Sequence, residues 1–186
     1  MIQWHPGFYG ATELEFRQNK DDLTFSMEYQ LSKEPIRMDL LIVKKRDGVK
    51  IKNEIGFLFK KSNILEYKDP DDNLSIDDFY KALGYACLYK ALAIRTDDIP
   101  ADTISVMIAR ESYPRKLIKE LKRLGNEIKR PAPGIYYVEG NTLFDVQIIV
   151  MSQLSPEKHS AYRILSRNAE QADITRFLAE AAKYTE

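Results

Sequence analysis

The sequence predicts an α/β fold in which helices flank a mixed central sheet, and three observations predict it. Residues 23–31 alternate with period two, placing Leu23, Phe25, Met27, Tyr29 and Leu31 on one face, which is the pattern of a half-buried strand. Residues 36–44, 62–68 and 103–109 are apolar runs of strand length. Helical patterns precede the first of these strands and follow the third, so the order is helix, three strands, helix, strand. Such an order calls for a mixed sheet with helices on both faces.

The elements follow in turn. Pro6 and Gly7 open a helix from about Phe8 to Asn19, whose broad apolar side carries Phe8, Ala11, Leu14 and Phe16 at about 100° per residue. Glu15 falls on that side, and Glu13 points well away from it. After the strand at 23–31, Lys33-Glu34-Pro35 is a turn, and residues 36–44 are apolar enough for a central strand. Asp47-Gly48 is a hairpin signal. Residues 49–61 are open between strand and helical turn, and residues 62–68 form the next strand. Asp69 to Asn73 is a loop. Ser75 is an N-cap with Asp77 and Asp78 in the first turn, where the helix dipole favours acids. That helix runs to about Ala93 with few polar positions. Residues 103–109 form a buried strand, and 113–125 an amphipathic basic helix stopped by Gly125. Strands at 134–138 and 143–151 flank the turn Glu139-Gly140-Asn141. The tail from Ser155 is helical, in two segments.

The composition suits one soluble domain of ordinary size: 186 residues, 44% hydrophobic and 30% charged. Lys and Arg total 28, as do Asp and Glu, so nucleic-acid binding would need a local basic patch. Cys87 alone excludes an intrachain disulfide and a multi-cysteine zinc site, and it reads as a core residue. His5 and His159 form no histidine metal motif. The start Met1-Ile2-Gln3-Trp4-His5-Pro6 does not read as a signal peptide, and no run reaches the roughly 18–20 apolar residues of a membrane span, so a cytoplasmic location without a membrane partner is expected. A glycine-rich phosphate loop is lacking, which argues against ATP-driven chemistry.

Three charged residues interrupt apolar strands. Asp39 lies in Met38-Asp39-Leu40-Leu41-Ile42-Val43, and Glu66 and Lys68 lie in Asn63-Ile64-Leu65-Glu66-Tyr67-Lys68. Residues two apart on a strand share a face, so Glu66 and Lys68 point together and Tyr67 points away. If the two strands pair, Asp39 can join them, and two carboxylates can share a divalent cation beside an ammonium. The blander alternative is an ion pair. An unpaired carboxylate within such a strand costs several kcal/mol in principle, so Asp39 needs a partner or a use.

Together with the element order, these residues resemble the PD-(D/E)xK nuclease superfamily over roughly residues 8–110. The resemblance implies a restriction-endonuclease-like αβββαβ core and metal-dependent hydrolysis of phosphodiester bonds. It implies Asp39 and Glu66 as ligands of Mg²⁺ or Mn²⁺, Lys68 orienting the nucleophile or stabilising developing charge, and the Tyr67 carbonyl as a further ligand. It also implies a fourth acid from the first helix, and Glu15 is the one whose position on the wheel faces the sheet. Met38 stands where the family has proline, and the 26 residues between Asp39 and Glu66 imply an insertion after the hairpin. His5-Pro6-Gly7-Phe8-Tyr9, and Glu66-Tyr67-Lys68 followed by Ser75-Ile76-Asp77-Asp78-Phe79-Tyr80, resemble a group of small bacterial proteins near the transposase-like recombination-promoting nucleases. No activity carries over from that group.

The expected organisation is a nuclease-like domain over 1–152 with a helical C-terminal extension, 153–186, packed on it. The expected partner is nucleic acid, DNA in preference to RNA, and a homodimer is compatible with the sequence. The rival is a catalytically inactive binding protein that keeps the nuclease fold, and a third reading makes the tail an oligomerisation or partner-binding element. Tyr80, Tyr85 and Tyr89 read first as amphipathic packing with hydroxyls at the rim. The basic stretches Lys44-Lys45-Arg46, Lys60-Lys61, and Arg115, Lys116, Lys119, Lys122, Arg123, Lys129 and Arg130 are open between a phosphate-binding surface and a solvated face.

Overall fold

The computed structural model of the protein describes residues 40–45, 48, 50–68, 73–167 and 169–184, all within the compact unit Met38–Glu186. The expected helix at 8–19 and strand at 23–31 lie outside the described residues, and so do Glu15 and Asp39.

A mixed six-stranded sheet organises the unit. Its strands are β1 (Leu40–Lys44), β2 (Ser62–Lys68), β3 (Ile104–Arg110), β4 (Glu127–Ala132), β5 (Ile135–Glu139) and β6 (Asp145–Val150). In space the order is β1-β2-β3-β6-β5-β4. β1 runs antiparallel to β2, the centre β2-β3-β6 is parallel, and β5 and β4 continue antiparallel. β3 is buried along nearly its whole length, as its continuous apolar run requires of a strand covered on both faces.

Alternation along the strands sorts the core into two layers. Ile64, Val106, Ile108, Val146 and Ile148 pack beneath helices α1 (Ile76–Ala91) and α2 (Arg115–Arg123), which supply Phe79, Ala82, Leu83, Ala86, Leu117, Ile118 and Leu121. On the opposite face Leu65, Met107, Ala109 and Ile149 pack with Ile55, Met151, Leu154 and Tyr162. Helical elements thus flank the sheet on both sides, as expected.

Local chemistry sets the ends of these elements. Ser75 caps α1 with a full capping box: its side chain accepts from the Asp78 backbone N–H, and the Asp78 carboxylate accepts from the Ser75 N–H. α2 ends as expected before Gly125, which adopts φ +86°, a left-handed conformation that favours glycine. The stretch left open between strand and helical turn contains a 3-10 turn, Glu54–Gly56. Buried Gln147 on β6 holds it, donating to the Ile55 carbonyl at 2.8 Å. Buried Asn63 fixes the entry to β2 by bonding both the N–H and the carbonyl of Lys60.

β4 is an addition to the expected elements. Lys129, Arg130 and Pro131 hide it from a hydrophobic pattern, and an edge strand is where proline and lysine are tolerated. The tail forms two helices, α3 (Ser160–Arg163) and α4 (Gln171–Tyr184). Arg163 anchors them: it donates to both oxygens of buried Asp173 at 2.8 and 2.9 Å and to the Leu154 carbonyl at 2.9 Å. Its guanidinium holds the Asp173 carboxyl below the ordinary value.

Candidate functional site

Glu66 and Lys68 stand at the carboxyl end of β2, where antiparallel β1 and parallel β3 flank it. The register places Leu40 opposite Glu66 on one side and Ile108 on the other. Glu66 is a carboxylate beside the buried Ile108 of β3, and its residue is only 8% exposed. As the spacing required, Lys68 emerges on the same face, with Nζ 3.7 Å from Glu66 Oε1. Tyr67 turns to the other face, where it lines a small apolar cavity with Leu65, Met107, Ala109 and Tyr162.

The ammonium of Lys68 has a second and closer partner. Asp78, in the first turn of α1, accepts from Nζ at 2.7 Å through Oδ1. Its Oδ2 accepts from the Ser75 N–H at 2.9 Å and the Ser75 hydroxyl at 2.6 Å. Burial pushes the Asp78 carboxyl up, but the hydrogen bonds from Lys68 and Ser75 outweigh it and hold the group at about 2. One turn further along α1, Lys81 lies over the Tyr85 ring, 5.5 Å from its centroid. The Tyr85 side chain raises the Lys81 ammonium above its ordinary value against desolvation, with smaller contributions from Glu66 and Asp78.

The site is thus a cluster of two carboxylates, Glu66 and Asp78, and two ammonium groups, Lys68 and Lys81. Of the four residues expected from sequence, the structure brings Glu66 and Lys68 together; Asp39 and Glu15 lie outside the described residues. Asp78 and Lys81 were not among the expected site residues. Their three- and four-residue spacing with Tyr85 aligns them on one helix face, but nothing in that spacing shows which strand residue the face would meet.

A hard divalent cation needs several oxygen ligands and commonly takes one or two carboxylates. Glu66 and the Tyr67 carbonyl match that chemistry. Asp78 does not, because both its oxygens are held by Lys68 and Ser75. Asp39, the other carboxylate expected from sequence, lies outside the described residues. Among the described residues alone, no group of three or more His, Cys, Asp and Glu side chains converges, and no helix is long and apolar enough to cross a membrane.

No protein-family model, curated protein or solved structure matches the chain.

Proposed function

We propose that the protein is a metal-dependent phosphodiester hydrolase with a PD-(D/E)xK-type site on a restriction-endonuclease-like fold, acting on DNA. The observation that carries the proposal is the buried Glu66 carboxylate beside the Lys68 ammonium on one face of a strand, at the carboxyl end of a mixed sheet. Carboxyl ends of parallel strands are where α/β sheets bind ligands. β1, which begins at Leu40 immediately after Asp39, pairs antiparallel with β2, and Leu40 stands opposite Glu66.

In this reading Asp39 and Glu66 hold Mg²⁺ or Mn²⁺. When bound, such an ion neutralises phosphate charge and lowers the pKa of a coordinated water. The water oxygen would attack phosphorus as it releases a proton to solvent, and the leaving oxygen, its bond to phosphorus broken, would take up a proton in turn. Lys68 supplies the positioned positive charge. An ammonium has three donors, and Asp78 takes one of them at 2.7 Å, which leaves donors for the attacking water or a phosphate oxygen. Glu15 is the further acid this reading recruits.

A second reading has its own observation. Two carboxylates facing two ammonium groups form a balanced cluster, which suits a binding protein that keeps the fold without the chemistry.

The test is incubation with plasmid and with single-stranded DNA in Mg²⁺ or Mn²⁺, with and without EDTA, beside Asp39→Ala, Glu66→Gln and Lys68→Ala. Cleavage abolished by EDTA and reduced at least about a hundredfold by each substitution is expected. Absence of cleavage by the unaltered protein in either metal overturns the hydrolase proposal and leaves the second reading.

A further inference from the structure

The basic residues divide unevenly along the chain. The whole carries no net charge, yet residues 113–130 hold seven Lys and Arg against two acids. Three of the seven are engaged within the fold. Arg123 forms a two-pronged ion pair with Glu120, Lys129 pairs with Glu139 at 2.5 Å, and Arg130 lies over the Tyr136 ring. The other four, Arg115, Lys116, Lys119 and Lys122, are exposed, and their side chains make no hydrogen bond or ion pair among the described residues.

Those four share the outer face of α2. At about 100° per residue they fall within an arc of roughly 120°, opposite the Leu117, Ile118 and Leu121 stripe that is buried against the sheet. α2 begins just past the carboxyl end of β3, whose Arg110 pairs in register with Lys68. The helix therefore starts at the same end of the sheet as the Glu66–Lys68 cluster, on the face that both helices cover.

We infer that this face of α2 binds the phosphodiester backbone of a nucleic acid. At about 1.5 Å per residue the nine-residue helix is about 13 Å long. Along one strand of a duplex, phosphates recur every 3.4 Å or so of axis, so the helix spans about four of them. Four exposed cations match four phosphates. An anionic membrane is the less suitable partner, because an interfacial helix must turn an apolar side to lipid, and the apolar side of α2 is buried in the core. The nucleic acid is the substrate class of the proposed hydrolase, so the inference extends that proposal, but its test does not depend on cleavage.

The test is fluorescence anisotropy of a labelled duplex and a labelled single strand in EDTA at 50, 100 and 200 mM salt. If all four cations contact phosphate, log K against log salt has a slope of about −3.6 for duplex or about −2.8 for single strand. Duplex affinity then falls about 150-fold between 50 and 200 mM salt. Lys116→Ala with Lys119→Ala should halve the slope without lowering the melting temperature, since alanine favours helix. Lys50→Ala with Lys52→Ala, exposed elsewhere, should leave it unchanged. The inference is overturned if the unaltered protein binds neither strand, if the α2 variant keeps the full slope, or if the variant loses binding only to anionic vesicles. Binding that needs α2 without any cleavage refutes the hydrolase and keeps this interface. Cleavage whose KM ignores the α2 variant does the reverse.

Discussion

Asp78→Asn separates the charge of Asp78 from its shape. Asparagine keeps an oxygen that accepts from Ser75, so the cap of α1 survives, while the ion pair with Lys68 is lost. The magnitude follows from the carboxyl held at about 2 against an ordinary 3.8. That displacement is worth about 2 kcal/mol. The side chain is 22% exposed, so solvent screening brings the expected loss at pH 7 to about 1–2 kcal/mol. In a domain of this size that lowers the melting temperature by roughly 2–8 °C.

The pH dependence fixes the sign. The folded value is depressed, so the contribution is full above the unfolded value near 3.8 and is lost as pH falls through about 2. The gap between the unaltered protein and Asp78→Asn should therefore be constant from pH 7 to about 5, shrink to about half by pH 3, and vanish near pH 1–2. Urea midpoints at matched pH measure it. A gap of the same size at pH 3 and pH 7 would show that shape or capping, and not charge, is responsible. No gap at pH 7 would refute the ion pair itself.

Two further substitutions test the frame that holds the site. Gly134 adopts φ +75°, and a Cβ there would lie 2.7 Å from both the Leu154 nitrogen and the Val150 oxygen; Gly134→Ala should cost on the order of 3 kcal/mol by urea denaturation, and near-neutral stability would refute that contact. Arg163→Ala strands the buried Asp173 carboxylate and should cost about 3–5 kcal/mol, seen first as faster amide exchange in α4. Unchanged protection of α4 would show that Arg163 does not anchor the tail.

Where local pattern and tertiary demand agree, the sequence was legible. β2 is an apolar run with both neighbours in the sheet, so its limits were readable residue by residue. The capping box at Ser75 and the stop at Gly125 are likewise local events. β4 was not legible, because its pairing with β5 and not its own hydrophobicity makes it a strand. In the site, the period of two gave Glu66 and Lys68 a common face. Nothing local announced that Asp78 would meet Lys68. An acid in the first turn of a helix is already accounted for by the dipole and the cap, so its second oxygen carries no further sequence signal. That contact exists because α1 packs back over β2 and brings its first turn beside the end of that strand.

The same contact gives a direct test of what Lys68 does. Oδ2 of Asp78 holds the cap and Oδ1 holds Lys68, so Lys68 can leave without unravelling α1. A phosphate oxygen arriving at Lys68 would replace one anionic acceptor by another, and the exchange leaves no cation buried without a partner. Asp78 would then lose the strongest interaction that lowers its carboxyl, which should climb from about 2 toward 3.8. Carboxyl NMR titration of Asp78, with and without an oligonucleotide and in EDTA so that no strand is cut, reads this directly. A rise on binding means that Lys68 has turned from Asp78 to the backbone. A value fixed near 2 with oligonucleotide bound means that Lys68 keeps Asp78 and can act on the substrate only through its remaining donors.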